Sequence, residues 1–451
     1  MKNWFFRLII LLIIALIAVF VFYVYPKLPI INAYAAKRAC SSIFVSGRTL
    51  ESVQKEDLGE FPQNLATVNV LEDKGIVEAK SFGLSKVTSV YRQGLGCKVV
   101  IGIDDTPQVR LNNEGSVLSD TDTLYWPYGV KEHSQKLKGI DYNKLDEAFR
   151  LAFDKTDNWE KKTRALLVMQ NGQLLKEEYS SPYNRETPFL GWSMTKSVEN
   201  ILVGILVKEG KLDIQKSNLF AKWQNDERKN IKLDNLLRMN SGLSWNEEYG
   251  SISQVTEMLF LEESTGDYAI QSPYLSPPGE VWNYSSGSSN IINQLIKESF
   301  ESEEDYLLFP YEKLFHKLDI KSAQLETDER GDYVMSSFMY ATARDWAKLG
   351  QLMLNNGVWL QDTIITNDWV EYSFSETAHS EGRYGAHMWR NGNPKEYSSC
   401  PDDTYKFSGY EGQYVIMIPS LDLVVVRLGL SKGPPFNMDG VMGLIVEALR
   451  N

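Results

Sequence analysis

The chain has 451 residues, 43% apolar and 24% charged, with 31 Gly and 16 Pro, a globular make-up that excludes collagen, coiled coil and disorder as whole-chain readings. Acidic residues outnumber Lys plus Arg by 59 to 47, for a formal charge of −12. The basic excess that a nucleic-acid partner requires is missing.

The first element is an uninterrupted apolar run over residues 8–25, behind Lys2 and Arg7. It is long enough to span a bilayer and longer than the apolar part of a cleaved signal peptide, about 7 to 15 residues. The nearest small-x-small site, Ala33-Tyr34-Ala35, follows only after two prolines. Residues 1–26 therefore read as an uncleaved signal anchor, positive end inside, with the rest of the chain outside the cytoplasm on the periplasmic or extracellular side. A cleaved, exported form is the alternative. Outside the cytoplasm cysteines can pair, and Cys40 and Cys97, which share one segment, make a better pair than either with Cys400; three unpaired thiols are the other reading. There is no CxxC, no HExxH and no cluster among the four histidines, so no metal site is read and no cofactor is expected.

Residues 27–135 alternate short β-like stretches (66–70, 87–91) with Gly and Asp turns and read as a β-rich lead-in of unknown role. The remainder, 136–451, reads as one domain. A helix is predicted over 142–154, with Leu145, Phe149 and Phe153 on one face. The strands 165–170 and 173–179 flank Asn171-Gly172, a hairpin signal because both residues tolerate positive φ. A second strand pair covers 414–418 and 423–428, and 438–449 reads as helix. Strands at both ends with helices between imply one sheet assembled from distant parts of the chain.

Three motifs in this domain carry chemistry. Gly191-Trp192-Ser193-Met194-Thr195-Lys196 opens an apolar helical stretch, so Ser193 falls at a helix start and Lys196 one turn on, on the same face. A neighbouring amine can take the hydroxyl proton, and the helix N-terminus favours negative charge. A helix-capping serine followed by an exposed lysine fits the same residues. A second S-x-x-K, Ser52 to Lys55, lies in a polar segment and reads as solvated surface. In the second motif, Pro277-Pro278-Gly279-Glu280-Val281-Trp282-Asn283 delivers Tyr284, Ser285 and Ser286 ahead of an apolar helix. Beside a lysine ammonium the phenol is drawn toward phenolate, and the pair can share base and acid work; a core tyrosine beside a capping serine is the plainer reading. The third, Phe407-Ser408-Gly409-Tyr410-Glu411-Gly412, enters a strand through glycines that let a substrate approach the backbone and leave an N–H for an oxyanion, or forms an ordinary β-turn.

The order and spacing of Ser193-x-x-Lys196, Tyr284-Ser285-Ser286 and Phe407-Ser408-Gly409 resemble the serine β-lactamase and penicillin-binding-protein superfamily, in its class C-like esterase and 6-aminohexanoate-dimer hydrolase branch. The segments 236–243 and 340–346 look like the family too, and the likeness covers roughly residues 160–448. It implies an α+β (α/β sandwich) fold, an antiparallel sheet flanked by helices with a helical subdomain. It also implies a serine hydrolase of esters or small amides: Ser193 forms an acyl-enzyme, Lys196 and Tyr284 share the proton transfers, and the N–H groups of Ser193 and Tyr410 make the oxyanion hole. Ser408, Gly409, Gly412 and Ser286 would line the substrate. Phe407 stands where penicillin-recognising members carry Lys, and Ser286 where they carry Asn; both departures point to acyl compounds other than β-lactams. Tyr249 and Trp389 are further pocket candidates, or ordinary core or surface aromatics. Other readings are a penicillin-binding-like or inactive envelope binding protein, and a peptidase of D-amino-acid or peptidoglycan stems.

Overall fold

The computed structural model describes residues 2–102, 123–133, 135–153, 155–156, 159–431 and 436–450. Part of the expected lead-in (103–122) and Asp154, where a helix was expected to end, lie outside them.

The apolar run does not end in a loop. Helix α1 (Lys2–Val19) passes through a π turn at Phe20–Val24 and a 3-10 turn at Tyr25–Lys27 into α2 (Leu28–Phe44). Pro26 and Pro29 sit in first turns, where a missing N–H costs little. The whole run, Trp4–Phe44, is helical, no residue of its most apolar window is buried inside the protein, and it is long and apolar enough to cross a membrane.

Its second half behaves differently. Ala33, Ala35, Ala36, Ala39 and Cys40 of α2 are fully buried against the antiparallel sheet β1 (Ala66–Leu71), β2 (Ile76–Ser81), β3 (Leu84–Arg92) and β4 (Gly96–Val100), whose strands lie in sequence order. Val68, Val77, Ala79 and Cys97 face the helix. A disulfide between Cys40 and Cys97 closes the unit. The stretch thus holds a long helix as well as strands. Its apolar stripe is masked in the sequence because two charged residues, Lys37 and Arg38, are buried on it.

The larger unit begins at α3 (Tyr142–Phe153), followed by β5 (Thr163–Gln170) and β6 (Gln173–Tyr179). Asn171 and Gly172 between them have φ of +51° and +65°, the geometry a two-residue hairpin needs. Helix α4 (Met194–Lys208) starts at the first motif, α5 (Ser286–Lys297) follows the second, and α6 (Ala343–Leu354) comes later. The chain then returns to the sheet as β7 (Trp389–Arg390), β8 (Tyr405–Gly409), β9 (Gln413–Ile418) and β10 (Leu423–Gly429), and ends in α7 (Met438–Ala448). The sheet order is β7-β8-β9-β10-β5-β6, antiparallel throughout. Alternation sends Leu166, Val168, Ile416 and Val425 to the face covered by α3 and α7, and Leu167, Met169, Val415 and Val426 to the face packed on α4, α6 and the helical region between them.

Candidate active site

Ser193 is the residue before α4, and its side chain makes no capping hydrogen bond. Its Oγ instead accepts from Lys196 Nζ at 2.9 Å. Lys196 is 1% exposed, so the capping serine with an exposed lysine is excluded. The amine also donates to Ser286 Oγ at 3.0 Å and to the Ser336 carbonyl at 2.8 Å. Burial lowers its pKa to about 8, against the opposing pull of Glu247 and Glu199. An amine with that pKa is part-neutral near pH 7 and able to accept a proton. By contrast, Lys55 of the other S-x-x-K is exposed, and half-buried Ser52 accepts from Arg48 at 2.9 Å instead.

The turn that delivers Ser193 is strained. Trp192 has φ of +49°, a region a bulky residue occupies only when its surroundings hold it there. Here the indole is buried, donates to Glu411 Oε2 at 3.1 Å, and meets the Tyr410 ring edge-on at 5.6 Å. Glu411 is itself at φ +63° and pairs with Arg38 of α2 at 3.3 Å. Arg38 also pairs with the fully buried Asp57, which Arg48 and Arg164 contact as well. Burial alone would raise the Asp57 pKa, yet Arg164, Arg38 and Arg48 together hold it far below the usual carboxylate range. A charged cluster from the N-terminal unit therefore backs both the first and the third motif.

Tyr284 arrives beside them. Its hydroxyl interacts with Ser193 and with Trp389, and Lys196 Nζ lies 5.1 Å from its ring centre. Its pKa is pushed well up, first by burial and then by the charge of Glu247. The phenol therefore stays protonated, contrary to the expected pull toward phenolate: desolvation and the Glu247 carboxylate outweigh the hydrogen bonds with Ser193 and Trp389. Trp389 packs on Tyr284 at 5.2 Å and Tyr249 stacks on Tyr410 at 4.8 Å, so both aromatics border the site.

In the third motif the geometry differs in part from expectation. A Cβ at Gly409 would lie 2.1 Å from the Gly191 carbonyl oxygen. The space this glycine frees is filled by the serine-bearing turn, and its role is close packing of the third motif on the first. Gly412, at φ +80°, gives its carbonyl to Arg427 Nη1 at 2.7 Å and closes the turn into β9. Ser408 sits half-buried opposite Tyr414. Phe407 is fully buried in the core. Among the described residues, neither the Ser193 nor the Tyr410 backbone N–H donates to a backbone acceptor.

Two features escaped the sequence reading. Glu247 accepts from the Ser286 N–H at 2.8 Å, from Ser286 Oγ at 2.5 Å and from Trp245 Nε1 at 2.5 Å. It thereby holds Ser286 against Lys196. Below the first turn of α4, Glu199 and His387 lie 3.5 Å apart, both buried. Burial pushes Glu199 well up, and burial with the charge of Lys196 pushes His387 down to about 3, so the imidazole is neutral at pH 7. Only the Glu-Glu pair in Trp245-Asn246-Glu247-Glu248-Tyr249, ahead of an aromatic, offered a sequence signal for the first.

A buried lysine on a serine hydroxyl at a helix start, beside a six-stranded antiparallel sheet covered by helices, defines a class of hydrolase architecture. The chain belongs to the Beta-lactamase family, whose sequence profile matches residues 157–449. It is similar to the 6-aminohexanoate-dimer hydrolase of Paenarthrobacter ureafaciens, 24% identical over 300 residues covering 60% of this chain and 74% of that one. Among solved structures it resembles a Bacillus anthracis protein named as a candidate 6-aminohexanoate-dimer hydrolase (TM-score 0.57, 18% identity, 88% and 96% of the two chains). A penicillin-binding protein homologue from Caulobacter crescentus shares the fold (TM-score 0.54, 14% identity, 70% and 98%). The relatives make the chain a hydrolase of this family.

Proposed function

We propose that the protein is a membrane-anchored serine hydrolase that cleaves an ester or amide bond through an acyl-enzyme on Ser193. The observation that carries the reading is the buried amine of Lys196, 2.9 Å from Ser193 Oγ, with its pKa lowered to about 8. Neutral Lys196 takes the hydroxyl proton as Oγ attacks the carbonyl carbon. The N–H groups of Ser193 and Tyr410 receive the developing oxyanion. Tyr284, kept protonated by burial and Glu247, passes its proton to the leaving alcohol or amine, and the Lys196 ammonium restores it. Water then attacks the acyl carbon with the same groups running in reverse.

The substrate class follows from what the pocket offers. Phe407 is buried, so no cation meets a β-lactam carboxylate from that position, and Ser286 is tied to Glu247 and Lys196. The paired aromatic rings of Tyr249 with Tyr410 and Tyr284 with Trp389 suit a linear acyl chain with a methylene run, as in the dimer named for the 24% identical relative. The apolar helix holds the enzyme in the membrane with the hydrolase unit outside the cytoplasm. A fluorophosphonate probe, followed by peptide mapping, is expected to give one adduct, on Ser193. Loss of the adduct and of ester turnover in Lys196→Ala, with an unchanged circular dichroism spectrum, is the companion result. Full turnover in Ser193→Ala would end the proposal.

A further inference from the structure

The turn between β2 and β3 is built against ordinary turn chemistry. Its two central residues, Phe82 and Gly83, have φ of +54° and +74°, positions where Asn-Gly is favoured and a bulky side chain is disfavoured. Phe82 is nonetheless aromatic, and it is 61% exposed, with Leu84 beside it 41% exposed. Two large apolar side chains thus stand exposed together at the tip of a hairpin.

The covering surface is indicated by what the tip touches. The Phe82 ring stands edge-on to Phe20 with centroids 6.1 Å apart, and Phe20 belongs to the apolar run that is long enough to cross a membrane. Both sides of the turn are clamped to α2 through the buried Asn32: Ser81 Oγ donates to Asn32 Oδ1 at 2.7 Å, and Asn32 Nδ2 donates to the Ser85 carbonyl at 2.7 Å. The hairpin is therefore held alongside the helix and aimed back toward its apolar half. Exposed Lys80 and Lys86 flank the tip, and Lys27 Nζ lies 3.6 Å from the Tyr23 ring centre where the chain leaves the apolar run. Apolar tip, then amines and tyrosines, is the layering of a bilayer interface.

We infer that the Phe82-Gly83-Leu84 tip enters the outer leaflet of the bilayer that α1 crosses, making a second membrane contact. The inference rests on the spanning reading of α1 and adds to it a fixed orientation of the domain on the membrane. The test uses the full chain in vesicles of phosphatidylcholine and phosphatidylglycerol, with an environment-sensitive fluorophore on Phe82→Cys, Leu84→Cys, Phe22→Cys or Lys222→Cys. Thermal melts of each labelled variant control for folding. Expected is a blue-shifted emission at 82 and 84, quenched by spin-labelled lipid as at 22, while the probe at 222 is quenched only by aqueous iodide. Lipid quenching at 22 with iodide quenching at 82 and 84 would overturn the inference while sparing the spanning reading. Iodide quenching at all four positions would overturn both. Shielding at 82 that falls as protein is diluted into more lipid would assign the tip to a second copy of the chain and overturn the inference.

Discussion

Lys196 sets the pH dependence expected of the reaction. With its pKa near 8, kcat/KM for a neutral ester is expected to climb with pH and level off above about 8, one proton being lost. No second limb is expected near 6.5, because buried His387 is pushed down to about 3; a limb there in a measured profile would contradict this assignment. The same group carries a stability cost. Its folded pKa lies below the ordinary 10.5, so the unfolded chain binds more protons between those values. Stability accordingly rises with pH through that window, and below about 8 the buried ammonium costs about 3 kcal/mol. Lys196→Met is expected to abolish turnover yet melt higher at pH 7, the gain being trimmed by about 1 kcal/mol for the Ser336 carbonyl left without its donor. A thermal melt beside an ester assay checks both halves.

The elements behind the site make their own predictions. Arg38, Glu411 and Trp192 link α2 to the strained turn before Ser193 and to the turn that carries Tyr410. Glu411→Gln weakens that link while keeping the side-chain shape. A tenfold to hundredfold fall in kcat is expected, of the size that misplacing a reacting group by about 1 Å causes, with KM changed little; steady-state kinetics with a soluble ester separate this from mere instability. Joint Cys40→Ser and Cys97→Ser substitution is expected to cost about 2–4 kcal/mol in denaturant unfolding. Cys400, whose thiol burial pushes up to about 12, is expected to resist alkylation in the folded protein at pH 8. Much at this scale was legible in the sequence: the Asn171-Gly172 hairpin, α3, the strands β9 and β10, and the helix starting at Ser193 are all fixed by local periodicity and turn chemistry. The parts that were not legible are long-range. Arg38 and Glu411 are 373 residues apart, and Glu247 and Ser286 are 39 apart. No local pattern marks a charge whose partner arrives from another part of the fold.

For the whole molecule, the arrangement of apolar helix, compact N-terminal unit and hydrolase domain predicts that an impermeant amine reagent on intact cells labels outward-facing lysines such as Lys222 and Lys321, 63% and 67% exposed. Labelling only after lysis would reverse the topology. The six-stranded sheet was readable as a single sheet because apolar strand pairs stand at both ends of the domain with helices between them. The contact between α2 and the hydrolase domain was not, since it depends on buried charges that read as surface. In the proposed membrane-anchored form, the unbroken passage of α1 into α2 governs where the chemistry takes place. A domain on a slack stalk sweeps out a hemisphere. One whose stalk is its own core helix can do little more than spin about the membrane normal. Arg38 stands thirteen residues past Tyr25, about 20 Å along the helix, and it braces the wall behind Ser193. In a bilayer, that hydroxyl works within a thin slab of space, and compounds are sorted by how near the lipid surface they come before the pocket sorts them by shape.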